Sequence, residues 1–274
     1  MAVQAIGPEP AAPPAPTSRL LFVDNLRVLL TVLVILHHLM ITYAGTGSWY
    51  YQEGRDDLVT GALGAWFQAT NQAFFMGLFL LISAYFVPGS YDRKGPWQFL
   101  KDRFIRLGIP LVLYSWLIRP LLMWQDPVHR WGRGMAFFDF LWYRYFPSEG
   151  YLGDGPLWFI ETLLIFSLVY VAWRLVTGLL ARAPRSMAPA RSFPGGLAIV
   201  LFALAIALVS FVVRLQMPIM SFYKPLNLQF PFFTQYIALF IAGLVAYRRD
   251  WFRALPDSAG RRWLVVTVVV VLAF

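Results

Sequence analysis

Apolar residues run along this chain in long unbroken stretches, and short segments between them hold most of the Lys and Arg. Stretches of this length predict membrane-spanning helices. They fall at residues 20–43, 59–87, 104–123, 157–180, 197–217 and 229–247, with a further start at Trp263. The predicted fold class is all-α, a polytopic transmembrane helical bundle with six full spans and a truncated seventh. Residues 1–18 are rich in Pro and Ala without apolar periodicity, which predicts a disordered cytoplasmic tail. Residues 19–274 form one membrane domain.

The last apolar run, 263–274, rises only about 18 Å as a helix, against a bilayer core of about 30 Å. It meets no polar flank, so the domain is expected to be incomplete at its C-terminus and the reading frame to continue.

Composition agrees with a membrane class. Of 274 residues, 59% are hydrophobic and 14% charged, whereas soluble domains are about 25% charged. The net charge of +9 does not point to nucleic acid, because the basic residues are spread over loops between spans. Loops 88–103, 181–196 and 248–262 are rich in Lys and Arg, and the intervening loops are poorer for their length. This alternation predicts a cytoplasmic N-terminus. There is no cysteine, which excludes disulfides, thiolate metal sites and a Cys nucleophile. With three histidines, His37, His38 and His129, no metal centre is expected, and no bound cofactor.

The first span carries Asp24, Asn25, Arg27, His37 and His38, a polar load that requires a protein interior or a wet cavity. From Arg27 to His38 a helix turns through about 1100° and rises about 16 Å, so both side chains share a face to within about 20°. His37 points about 80° away from Arg27. Asp24, one turn before Arg27, is placed to hold its guanidinium. A neutral imidazole within the membrane can take a proton from a hydroxyl, and an Arg near the entrance can fork onto a phosphate. The competing reading is a structural His bonded to another helix and an Arg snorkelling to headgroups.

Three further features carry chemistry. Arg103 and Arg106 share a face at the expected start of the third span, where a nucleotide or pyrophosphate can be clamped. The competing reading, which spacing alone favours, is a positive-inside flank. Glu161, one turn into the helix that Pro156 starts, is either functional or an ion-pair partner of Arg119 or Arg214. The 124–156 loop combines His129, Trp131, Trp142, Tyr143, Tyr145 and Tyr151 with Asp126, Asp139, Glu149 and Asp154. That mixture suits either sugar binding or an interfacial aromatic belt.

The string LLFVDNLRVLLTVLVILHH, the block RFIRLGIP and the block GPLWFIETLLIF, in this order and spacing, resemble the acyltransferase family 3 membrane proteins from about residue 19 onward. Within the family the chain is most similar to the branch of glucan biosynthesis protein C. The resemblance implies transfer of an acyl group, acetyl or succinyl, from cytoplasmic acyl-CoA as co-substrate to a hydroxyl of an extracytoplasmic sugar or glycan. It implies a multi-pass protein of the bacterial inner membrane. By matching positions, Arg27 and His38 form the first-span pair and Arg103 and Arg106 the donor-binding arginines. Large fused members carry Trp-Ser-Leu-x-x-Glu at the later block. This chain has Trp158-Phe159-Ile160-Glu161, so the resemblance does not extend to Glu161. The family's core has about ten spans, more than are counted here.

Residue chemistry alone leaves two other classes open: a transporter of an anionic or proton-coupled solute with His38 as relay, and a non-catalytic scaffold, which the ionisable load of the first span disfavours.

Overall fold

A computed structural model describes residues 20–44, 47, 51–54, 57–126, 131–151, 155–180, 193–219, 221–223 and 226–273. The expected tail at 1–18, His129, Asp154 and Arg182, Arg185 and Arg191 lie outside the described residues. Among the described residues the fold is all-helical, with one isolated antiparallel bridge between Tyr223 and Leu228.

The helices are α1 (Leu21–Tyr43), α2 (Leu58–Gln72), α3 (Phe75–Arg103), α4 (Ile109–Leu113), α5 (Arg119–Trp124), α6 (Phe137–Phe140), α7 (Phe146–Glu149), α8 (Trp158–Leu180), α9 (Gly196–Gln216), α10 (Phe233–Arg248) and α11 (Asp257–Ala273). Five segments are long and apolar enough to cross a membrane, where six full spans are expected. The difference arises because 59–87 and 104–123 belong to one 67-residue helical run, Leu58–Trp124. α11, 17 residues long, is not among the five.

A straight helix of that run would be about 100 Å long, and two breaks divide it. At Phe74 the backbone leaves the helical region (φ −136°, ψ −33°). At Gly95 it takes φ 73° and ψ 170°, a conformation open to glycine, and Pro96 restarts the helix. Contacts close across this second break. Lys94 pairs with Asp102, and the Tyr91 and Phe99 rings meet edge-on at 5.8 Å. Residues eight apart in an unbroken helix would be separated by about 12 Å.

Proline also explains the irregular turns. Each π-helical segment, Phe104–Gly108, Tyr114–Ile118 and Leu141–Tyr145, ends two residues before a proline: Pro110, Pro120 and Pro147. A proline ring clashes with the carbonyl four residues back and offers it no N–H. Widening the preceding turn relieves the clash.

The core is built on α3. α10 runs parallel to its first half at close range. Gly77 faces Gln235 and Leu239, Gly243 faces the Leu81 carbonyl and Ala84, and Gly89 faces the Tyr247 ring. A Cβ on Gly243 would strike the Leu81 oxygen, so small residues set the approach, as in other membrane helix pairs. α8 lies parallel on another flank through Phe79–Phe159 (5.1 Å) and Tyr91–Tyr170 (5.5 Å). α1 runs antiparallel, placing Phe22 against Phe252 at one end and His37 against Phe75 toward the other. Val23 and Leu30 of α1 join Leu80, Val87, Phe99, Tyr170 and Phe240 in one buried cluster.

α9 leaves nearly all its side chains exposed, with Ser210 its one buried residue, and α11 has none buried. Segment 131–149 is no open loop. It forms short helices around a second cluster of Phe140, Leu141, Tyr145 and Phe146, tied to the preceding run by the Tyr145 hydroxyl donating to the Ser115 carbonyl at 2.9 Å.

Candidate functional site

α1 is regular from Leu21 to Tyr43, so the angular arithmetic applies to it directly. At 100° per residue, Asp24, Arg27, Thr31, His38 and Thr42 fall within an arc of about 60°. This polar stripe lies between the buried side, marked by Val23 and Leu30, and an exposed apolar side, marked by Val28, Val32 and Leu39. Arg27 reaches toward Asp24 at 3.9 Å, with its side chain 56% exposed. Thr31 Oγ1 donates to the Arg27 carbonyl (2.8 Å) and Thr42 Oγ1 to the His38 carbonyl (3.1 Å).

His38 sits about 9 Å past the helix midpoint at Val32, toward the end away from Arg27. Its Nδ1 lies 2.7 Å from the Val34 carbonyl. A carbonyl oxygen only accepts, so Nδ1 carries the proton, and in the neutral ring Nε2 holds the lone pair. The bond to its own helix turn fixes the orientation of the ring as well as its tautomer.

His37 turns inward instead. It stacks on Phe75 at 5.2 Å, and the buried Asn71 amide nitrogen lies 3.4 Å from its Nδ1. The same amide nitrogen is 3.3 Å from the Leu33 carbonyl. Sequence reasoning missed Asn71, although Thr70-Asn71-Gln72 inside an apolar run was the available signal.

Arg103 and Arg106 do not sit at a helix start. Because the helix restarts at Pro96, Arg103 is two turns in, and Arg106 falls in the first π segment. The helix N-terminus therefore contributes no field at these positions. Arg103 is half-buried with its guanidinium 5.0 Å from the Phe99 ring centre, while Arg106 is exposed. Both lie at the bundle end that also holds the beginning of α1.

A charge network at the same end also escaped sequence reasoning. Asp92 accepts from Arg174 at 2.9 Å and from Arg248 at 2.7 Å, joining α3, α8 and α10. Arg174 also donates to the Tyr170 hydroxyl (2.8 Å) and stacks over the Tyr91 ring (4.8 Å). Arg174 inside the apolar run 157–180 was the readable signal. Asp92 and Arg248 read only as parts of charged loops.

Glu161 is 2% exposed, beside the fully buried Thr162. Of the arginines expected to pair with it, Arg119 is held by Glu149 at 2.7 Å. Arg214 lies 3.4 Å from the Pro231 carbonyl and over the Phe232 ring. The aromatic segment splits likewise. Tyr145 is buried, while Trp142, Tyr143 and Tyr151 are exposed and Glu149 is committed to Arg119. A shallow groove of about 510 Å³, lined by Phe22, Phe252, Leu255 and Arg261, opens at the Arg27 end. It is about 24 Å along α1 from His38.

A search of curated proteins returns no match, and neither does a search of solved structures. A family model described as an acyltransferase domain matches residues 20–274, nearly the whole chain. The chain is thus a multi-pass membrane enzyme that transfers acyl groups, and it belongs to acyltransferase family 3.

Proposed function

We propose that this enzyme moves an acetyl or succinyl group from cytoplasmic acyl-CoA to a hydroxyl of an extracytoplasmic sugar or glycan, in a bacterial inner membrane. The observation that carries the reading is the His38 tautomer. Its Nδ1–H is committed to Val34, so Nε2 is oriented as the base or nucleophile.

In this reading the arginine-rich end of the bundle is cytoplasmic. Arg103 and Arg106 bind the CoA phosphates there, and Arg27, steadied by Asp24, guides the donor along the α1 stripe. The thioester reaches His38 in the far half of the span, and the acceptor hydroxyl arrives from the opposite end. His38 either takes the acceptor proton or carries the acyl group transiently. The exposed Trp142, Tyr143 and Tyr151 offer sugar-stacking faces at that opposite end, in keeping with the resemblance to the glucan biosynthesis protein C branch.

The absence of cysteine gives a clean assay, because any thiol released from acetyl-CoA or succinyl-CoA is free CoA. Wild-type protein with a glucose oligosaccharide is expected to release thiol, and His38→Ala is not. A transporter would release none in either case. Orientation is tested separately. Single cysteines at Lys94 and Arg253 are expected to resist impermeant thiol reagents in intact cells, and those at Asp57 and Gly134 to react. The opposite pattern would invert the scheme.

A further inference from the structure

The groove between the beginnings of α1 and α11 has no part in the acyl-transfer scheme. It holds about 510 Å³. Phe22, the second residue of α1, and Phe252 and Leu255, in the turn after α10, give it apolar walls. The two rings meet edge-on at 6.0 Å, and Phe252 is itself stacked on Tyr85 of α3 at 4.3 Å. The apolar wall is therefore fixed to the core. Gly260 of α11 also lines the groove, and no atom lies within 4 Å of where its Cβ would stand. The charged lining is Asp257 and Arg261, one turn apart on α11.

The charge balance around the groove is positive. Arg248 is engaged by Asp92 at 2.7 Å and Arg253 by Asp250 at 3.3 Å. Among the described residues Arg261 and Arg262 enter no ion pair, and Arg261 does not close on Asp257. Asp257 opposes this charge but leaves the excess with the arginines. Both helices continue away from the groove as exposed apolar surface, with Val28 and Leu29 on α1 and Leu264 and Val265 on α11. In a multi-pass membrane protein such surface meets lipid. The sequence Arg261-Arg262-Trp263 has the composition of the membrane–water boundary, where basic side chains snorkel and indoles sit. The groove therefore lies at headgroup level.

A soluble small molecule needs a pocket that encloses most of its surface, and this groove is shallow. A phospholipid needs less. The bilayer already holds it at the boundary, and the groove has only to prefer it over its neighbours. Basic clefts between spans suit anionic headgroups. We propose that the groove is a binding site for an anionic phospholipid. The lipid phosphate meets Arg261, with Arg262 beside it on α11. The glycerol and the top of one acyl chain lie on Phe22, Phe252 and Leu255.

The chain has no cysteine, so a bimane fluorophore on Leu255→Cys reports on the groove alone. The full chain is reconstituted in vesicles of phosphatidylcholine and phosphatidylglycerol, with a nitroxide near the top of an acyl chain of one lipid or the other. Relative association read from quenching is expected to favour phosphatidylglycerol about fivefold, the weight of one basic residue at a membrane surface. Arg261→Gln is expected to bring the two lipids together, and Arg261→Lys to keep most of the preference. Bimane on Leu197→Cys, exposed at the beginning of α9, is expected to show none. Inorganic phosphate at constant ionic strength is expected to leave the Leu255→Cys result unchanged. Mass spectrometry of the lipid retained in detergent by chains without the label gives a second reading. Phosphatidylglycerol should be retained over phosphatidylcholine by wild-type protein, and no longer by Arg261→Gln.

Equal quenching by the two lipids at Leu255→Cys overturns the proposal, as does a preference that survives Arg261→Gln. The same preference at Leu197→Cys would mean general surface attraction, and displacement by inorganic phosphate would mean a site for free anions. Either result overturns it. If Leu255→Cys does not fold, lipid retention by wild-type and Arg261→Gln protein decides alone.

Discussion

Two groups of polar side chains lie within the helical bundle, and they are built on opposite principles. Around Asp92, charges from three helices close on one another. Arg174 and Arg248 both donate to one carboxylate, and Tyr170 and Tyr91 take up the remaining faces of Arg174. On α1, the bonds of Thr31, His38 and Thr42 run back to carbonyls four residues earlier on the same helix. The first arrangement satisfies polar groups by joining helices, which is how a bundle resists separation in lipid. The second orients polar side chains along their own helix.

The comparison breaks first on activity. His38→Ala is expected to reduce acyl transfer by about 10²–10⁴, with helix content unchanged and melting temperature little changed, since its bond to Val34 lies within one turn of α1. Paired kinetic and thermal measurements check this. A large fall in melting temperature would place His38 among the fastenings.

Asp92→Asn is expected to act in the reverse sense. Two guanidiniums then face each other without a counter-charge. The cost is about 1–2 kcal/mol, reduced from that of a fully buried pair by partial exposure. A lowered melting temperature with turnover per folded molecule preserved supports this assignment. Lost turnover at an unchanged melting temperature would move the Asp92 network into the site.

How much of this was legible in the sequence depended on helix regularity. α1 begins and ends within a residue of its apolar run, and no Pro or Gly interrupts it, so the shared face of Arg27 and His38 could be derived from spacing. The run from Leu58 to Trp124 defeated the same method. Its break at Phe74 has no Gly or Pro to announce it. Gly95-Pro96 was visible but read as part of a loop, so the helix start was placed eight residues late, at Phe104. The wide turns before Pro110, Pro120 and Pro147 follow from proline's missing N–H, and can be read from the sequence once that rule is applied.

Pairing was the least legible part. Arg119 had Glu161 as a reasonable partner by span position, but Glu149 reaches it from α7, a helix that lay hidden inside a supposed loop. The contact that Asn71 makes was illegible for a related reason. Its role depends on which carbonyl of α1 it meets, and apolar periodicity carries no such register.

The smallest expected effect sharpens the donor end. Arg106→Ala is expected to raise KM for acyl-CoA severalfold with kcat little changed, since a phosphate contact is made equally in ground and transition states. Arg103→Ala should do the same and also lose packing on Phe99. Lys at either position should restore the KM only in part if the contact is forked. Steady-state kinetics over acyl-CoA concentration decides this. Unchanged KM in both variants would remove these residues from the donor site.

The central claim is that His38 moves an acyl group from CoA to a carbohydrate hydroxyl. It is tested most directly by following the group itself. Carbon-13-labelled acetyl-CoA is supplied to membranes holding wild-type or His38→Ala protein with a glucose oligosaccharide, and the oligosaccharide is weighed by mass spectrometry. The account predicts one labelled acetyl ester on the sugar with wild-type protein and none with His38→Ala. Equal labelling by the two proteins would contradict it.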